Sequence, residues 1–274
     1  MSAKAVPEGK YAEIGDGLRI HYQDAGQGLP VVFIHGSGPG ASGFSNFKGN
    51  YPYFVENGFR VLLPDTLGFG YSSKPEDVDY EFEFVFSGLK RFLDRMSIER
   101  CAVVGNSHGG AMAIDLALQA PQLVSKLILM APGGIEPRER YMEMKGIRSM
   151  MKAVLGPEGI TRDSMRKVFG HQLFDPAQIT DAIIEERFQM AELQPKKVLS
   201  SLRVPHLGPR LSEIECPVLA FWGNEDQFCP VSGAAILADS CKRSRVMRIS
   251  QCGHWVMVER MQMFNKMCVD FLKE

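Results

Sequence analysis

The chain has 274 residues, a formal net charge of −1 and 45% hydrophobic residues, which suits one large α/β domain, with or without an insertion, or two small domains. No block of five or six like charges occurs, so a nucleic-acid surface is not expected. No apolar run approaches the ~20 residues needed to cross a bilayer, and the N-terminal stretch MSAKAVPEGKYAEIGDG has no apolar segment of the secretory type. The cysteines at 101, 216, 229, 241, 252 and 268 are widely spaced without a C-x-x-C pair. That spacing predicts buried, reduced thiols in a cytoplasm, with no disulfide framework and no zinc site.

Short apolar runs rich in β-branched residues predict strands at LRIHY (18–22), VVFIH (31–35), RVLLPD (60–65), CAVVGN (101–106), KLILMA (126–131), PVLAFWG (217–223) and VMRIS (246–250). Most lack strict alternation, as strands buried on both faces of a mainly parallel sheet do. Helical spacing falls between them, at Phe84 to Met96, at Gly109 to Ala120 (stopped by Pro121) and from Val256 to Leu272. Alternating strands and helices predict an α/β fold: a mainly parallel sheet flanked by helices, with right-handed crossovers.

That rhythm stops between Gly133 and Leu211, where helical patterns such as YMEMKGIRSMMKAVL and ITDAIIEERFQMAEL dominate. The expected organisation is a core of residues 1–132 and 212–274, with 133–211 as a helical cap (lid) over the C-terminal sheet edge, where open α/β sheets bind ligands.

The loop after VVFIH holds two motifs. Gly38 to Gly43 (GPGASG) is a literal G-x-G-x-x-G, and Asp65 lies about 20 residues further on, where a dinucleotide fold would place its ribose-binding acid. Against that reading, no second nucleotide-binding half follows, and Pro39 removes one N–H from the would-be phosphate nest. No nucleotide cofactor is therefore expected.

The strand CAVVGN runs into Gly105-Asn106-Ser107-His108-Gly109 and then a helix, the context a nucleophile elbow requires. Side chains at 105 and 109 would collide with backbone in so sharp a turn, and the turn lifts the serine hydroxyl toward a helix N-terminus. A nucleophilic serine needs a base, and the base an orienter. The order serine, acid, histidine is that of an α/β-hydrolase. Asp226 follows PVLAFWG, and His254 follows VMRIS. Of the histidines at 21, 35, 108, 171, 206 and 254, only His254 is so placed. Asp226 is preferred to Glu225 because it lies one step further into the loop. The oxyanion donors are then the N–H groups of His108 and, from HGSG, of Ser37, with His35 as a structural anchor for that loop.

In ITDAIIEERFQMAEL the apolar stripe is Ile183, Ile184, Phe188 and Ala191, and Arg187 falls inside it. An arginine there calls for a carboxylate, an internal acid or a ligand, because an unpaired buried charge is costly.

Taken together, HGSGPGASGFSN (35–46), GNSHGG (105–110), Arg187-Phe188 and CGHW (252–255) resemble the meta-cleavage product hydrolases, carbon–carbon bond hydrolases within the α/β-hydrolase superfamily. The resemblance covers nearly the whole chain. It implies a 2-hydroxy-6-oxohexa-2,4-dienoate-type substrate that ketonises, is attacked at the C6 carbonyl and breaks at C5–C6. It also implies an acyl-enzyme on Ser107, proton transfer by His254 oriented by Asp226, and a polar pocket of Arg187, Asn106, Asn46 and Trp255 for the acid end. No metal or other cofactor is needed, and a homo-oligomer, dimer or higher, is expected. Trp255 and Phe174 are candidate cavity walls. Met142, Met144, Met150, Met151 and Met165 suit an adaptable apolar pocket. One departure is His108, where the family often carries Met, Phe or Leu. The alternative readings are a carboxylesterase or lactonase with the same triad, which needs no carboxylate clamp, and a non-catalytic receptor using the same pocket.

Overall fold

The computed structural model describes residues 8–274. Its elements in chain order are β1 (Lys10–Glu13), β2 (Arg19–Ala25), β3 (Leu29–Ile34), α1 (Gly43–Phe47), α2 (Tyr51–Glu56), β4 (Phe59–Pro64), α3 (Phe82–Arg95), β5 (Cys101–Asn106), α4 (His108–Gln119) and β6 (Val124–Met130). There follow α5 (Arg138–Met142), α6 (Lys145–Leu155), α7 (Arg162–Gly170), α8 (Asp181–Glu192), α9 (Lys196–Ser200), β7 (Val218–Gly223), α10 (Ser232–Ser240), β8 (Ser244–Ile249), α11 (Val256–Glu259) and α12 (Met261–Lys273). Among the described residues the strands form one eight-stranded sheet in the order β1-β2-β4-β3-β5-β6-β7-β8. From β4 to β8 neighbouring strands run parallel, while β1 and β2 are antiparallel at one edge.

Every residue of β5 and β7 is buried, as helices on both faces require. Successive side chains of one strand feed two cores. Val32, Ile34 and Val103 pack on one face with Phe86 of α3 and Ile114 of α4. Val31, Phe33 and Val104 pack on the other with Phe54 of α2 and Phe264 of α12.

The structure adds one strand to those expected and divides one expected helix. The apolar signal at Lys10–Glu13 was too weak to predict β1: only Ala12 of its four residues is buried, because the strand lies at the sheet edge. The run from Val256 to Leu272 is two helices, broken at Arg260 (φ −125°, ψ 39°). Between β6 and β7 the chain carries helices and no strand. The YMEMKGIRSMMKAVL stretch divides into α5 and α6 around Glu143 and Met144. No helix among the described residues is long and apolar enough to cross a membrane.

Candidate active site

Ser107 sits between β5 and α4 with φ 55° and ψ −116°, a conformation costly for a residue with a Cβ and held only where the surroundings over-determine it. The surroundings do so here. The Ser107 N–H donates to Met130 O at 3.0 Å, and its carbonyl accepts from Ala111 N at 3.0 Å and Gly133 N at 2.8 Å. A Cβ on Gly105 would lie 2.5 Å from Gly109 O, and one on Gly109 would lie 2.1 Å from Ile34 O. The glycines are thus required by close backbone approach, as the sharp turn predicted.

His254 and Asp226 come from the loops after β8 and β7. His254 Nδ1 lies 2.7 Å from Asp226 Oδ2. Asp226 Oδ1 accepts N–H bonds from Phe228 at 2.7 Å and Cys229 at 2.9 Å. With a carboxylate facing Nδ1, that nitrogen carries the proton and Nε2 is left as the basic one. The neighbouring Glu225 is used differently: its Oε2 accepts the Cys252 N–H at 3.0 Å and braces the histidine loop. The same loop is held from the other side by Gln172, whose carbonyl accepts the N–H of His254 at 2.7 Å and of Trp255 at 3.1 Å.

Two cavities meet at Ser107. A small polar one of about 40 Å³ is lined by Ser37, Asn46, Asn106, Ser107, Arg187, His254 and Trp255, together with Gln172 and Phe228. A larger one of about 270 Å³ is lined by Ser37, Ser107, His108 and Cys229 and, from the helical segment, by Met142, Ile147, Met150, Met151, Val154 and Leu199. Met165 instead fills the core, and Met144 caps α6. Phe174 is no cavity wall. It is 47% exposed, and its N–H is tied at 2.7 Å to Glu259. Residues 169, 172, 228 and 229 carry no motif; long-range packing alone brings them to the site.

Arg187 is 3% exposed. Its Nε donates to Pro39 O at 3.1 Å, and its Nη1 to Asn46 Oδ1 at 3.1 Å and Ser45 Oγ at 3.3 Å. The guanidinium lies 5.0 Å from the Phe169 ring centroid and 5.6 Å from that of Trp255. Among the described residues no carboxylate bonds it. The neighbouring Glu186 pairs with Lys48 instead. Burial, only partly offset by Glu186, pushes the Arg187 guanidinium down to about 10, the mark of a buried cation short of counter-charge.

The glycine loop serves this arginine. Gly40 has φ 62°, and a Cβ on it would lie 1.9 Å from Arg187 O; glycine there lets α8 lie directly on the loop. Asp65, where a dinucleotide fold would place a ribose ligand, is an internal tie. It accepts the N–H groups of Gly43 at 2.8 Å and Tyr71 at 2.9 Å and faces His21 Nδ1 at 2.8 Å. His35 anchors the loop as expected: its Nε2 accepts the Thr66 N–H at 3.0 Å, leaving Nδ1–H to donate to Gly36 O at 2.7 Å. Burial holds the His35 imidazole below its ordinary value, so it remains neutral. Burial, reinforced by the Asp226 carboxylate, pushes the Cys229 thiol well above its ordinary value, which leaves it a poor nucleophile.

Residues 30–152 match the alpha/beta hydrolase fold family. A 2-hydroxy-6-oxo-6-phenylhexa-2,4-dienoate hydrolase from Comamonas testosteroni is 34% identical over 97% of this chain and 96% of its own length. A 2-hydroxy-6-oxononadienedioate/2-hydroxy-6-oxononatrienedioate hydrolase from the same species is 36% identical over 93% and 91%. In structure, a mutant meta-cleavage product hydrolase from Pseudomonas fluorescens IP01, complexed with acetates, superposes with a TM-score of 0.86 at 26% identity over 97% of both chains. Identity at this level over nearly the full length of the curated relatives leaves little room for a different ancestry: the chain belongs to the meta-cleavage product hydrolases, carbon–carbon bond hydrolases built on the α/β-hydrolase fold.

Proposed function

We propose that this protein hydrolyses the C5–C6 bond of a 2-hydroxy-6-oxohexa-2,4-dienoate, releasing 2-hydroxypenta-2,4-dienoate and the carboxylic acid of the C6 substituent. The observation that carries the reading is Arg187: a buried guanidinium without a carboxylate partner among the described residues, sharing a small cavity with Ser107 and His254. A simple ester hydrolase has no use for such a cation, whereas the C1 carboxylate of a dienoate supplies its missing counter-charge. Asn46 and Asn106 hold the 2-oxygen end, and Trp255 walls it.

In the first step the 2-hydroxyl loses its proton and C5 gains one, so the dienol becomes a 2-oxo-3-enoate with a CH2 at C5. Ser107 Oγ then attacks the C6 carbonyl carbon while His254 Nε2 takes the hydroxyl proton. Asp226 fixes the tautomer and supports the imidazolium that forms. The C6 oxyanion is held by the N–H groups of Ser37 and His108. As the C5–C6 bond breaks, its electron pair runs through C4 and C3 to the 2-oxygen, which recovers a proton from His254. The remaining acyl group on Ser107 is hydrolysed by a water that His254 deprotonates.

Residues 133–211 act in this scheme as a cap, supplying Arg187 to the polar cavity and an apolar wall to the larger one. The enzyme works in the cytoplasm, where a reducing milieu keeps its six unpaired cysteines as thiols, and it assembles as a homo-oligomer. The reading is tested by the absorbance of coloured dienoates on mixing with the enzyme. Bleaching at catalytic enzyme concentration is expected. No turnover across 6-alkyl and 6-aryl dienoates, with neutral esters consumed, would overturn it in favour of a carboxylesterase.

A further inference from the structure

The residue after Ser107 carries a side chain that the reaction above does not use. The His108 N–H is given to the oxyanion, and the residue is one of those lining the larger cavity beside Ser107. The residue is 2% exposed, and neither Nδ1 nor Nε2 has a hydrogen-bond partner among the described residues. Its ring meets that of Phe82 edge-on, with centroids 5.7 Å apart, a contact that satisfies neither nitrogen. Buried polar groups in native proteins are nearly always bonded, and an exception calls for an explanation. Burial, reinforced by His35, pushes this imidazole down to about 3. It is therefore neutral, with one N–H to donate and one bare nitrogen to accept.

The two cavities divide the substrate between them. The acid end is met by Arg187 and Asn46 on one side of Ser107, so the group attached to C6 occupies the other side. That side is walled by Ile147, Met151 and Val154, which ask only for apolar bulk. His108 follows the acylated serine directly in the chain, and Ser37, Glu136, Tyr141 and His206 are other polar residues of the same lining. Of the two arginines in the lining, Arg138 and Arg203, Arg203 spends Nη1 on the carbonyls of Ser200 and Leu202.

We infer, resting on the dienoate reading above, that His108 is a specificity-determining residue: its imidazole hydrogen-bonds a neutral hydroxyl or amino group carried on the C6 substituent of the preferred substrate. A bare hydrocarbon substituent fills the cavity but leaves the imidazole unsatisfied. A carboxylate there has Arg138 and Arg203 in the same lining and does not call on the imidazole.

The experiment compares kcat/KM for 6-phenyl, 6-hydroxyphenyl and 6-(2-carboxyethyl) dienoates in the wild type, His108→Leu and His108→Asn. The wild type is expected to favour the best hydroxyphenyl isomer over phenyl by about tenfold. The ratio should fall to near one in His108→Leu and be partly kept in His108→Asn, whose amide also donates and accepts. An unchanged ratio in both variants, or a wild-type preference for phenyl or carboxyethyl, overturns the inference while leaving the dienoate reading intact. Failure of all three dienoates overturns both. A second measurement needs no substrate: with its orphaned nitrogens removed, unliganded His108→Leu should melt a few degrees above the wild type. A fall of that size would mean that the imidazole is satisfied inside the protein, and the inference would fail.

Discussion

Ser107 has a left-handed backbone, His254 is tied to Asp226 at 2.7 Å, and Arg187 has three neutral acceptors and, among the described residues, no acid. Each carries a prediction. Ser107→Ala should lower kcat on order of 10³-fold or more, with binding of the coloured dienoate retained. Asp226→Asn keeps the shape but offers the wrong tautomer to His254, so a loss on the order of 10⁴-fold is expected, far exceeding that of Glu225→Gln. Both are read by steady-state kinetics. At Arg187 a charge-assisted contact worth about 1.5–3 kcal/mol is removed by alanine. Arg187→Ala should therefore lower kcat/KM for dienoates by roughly 10- to 150-fold, mostly through KM. Arg187→Lys should recover little, because it loses the fork that also holds Pro39 and Asn46. A dienoate KM unmoved by Arg187→Ala would refute the clamp. At this scale the sequence was informative. The apolar stripe of α8 marked Arg187 as buried, since a helix buries residues three and four apart together. The partners were not legible: Pro39 and Asn46 lie 148 and 141 residues away along the chain.

At the level of elements, the turn from β5 into α4 was legible because it is local. Gly105, Gly109 and Gly110 lie within three residues of Ser107, and the collisions they avoid follow from one tight turn. Gly109→Ala would place its Cβ 2.1 Å from Ile34 O and 2.5 Å from His35 O. Backbone cannot yield as a flexible side chain does, so a cost of about 3 kcal/mol is expected. Thermal unfolding followed by circular dichroism should show a Tm lower by roughly 6–12 °C, whereas Gly170→Ala, whose Cβ would meet nothing nearer than Pro176 at 3.8 Å, should be much milder. Edges and short helices were harder to read. β1 shows one buried residue in four, so its pairing with β2 decides it, and α11 separates from α12 at Arg260 through backbone geometry that no periodicity announces.

For the whole molecule, the buried neutral imidazoles link stability to acid. His108 has an ordinary value of 6.5 and is lowered to about 3 in the fold. Between those values the unfolded chain binds a proton that the folded chain refuses, so stability falls as pH drops, by about 1.4 kcal/mol per pH unit for that group. His35 acts in the same direction. Urea unfolding from pH 6 to pH 4 should thus show a steep loss of stability, and His108→Leu should flatten the slope by about one proton. An unaltered slope would mean that His108 is already protonated in the folded state.

The sequence by itself determined the alternation of strands and helices, the elbow at Ser107, the order serine, acid, histidine and the burial of Arg187. All of these are written in neighbours within a few residues or in a repeat of 2 or 3.6. Only the tertiary structure decided that Glu225 braces the histidine loop, that Gln172 carries it from the other side, that Phe174 turns outward and that the His108 imidazole has no partner among the described residues. Those outcomes depend on which surfaces, far apart along the chain, meet in the fold. Contacts of that kind are set by shape and desolvation across the fold.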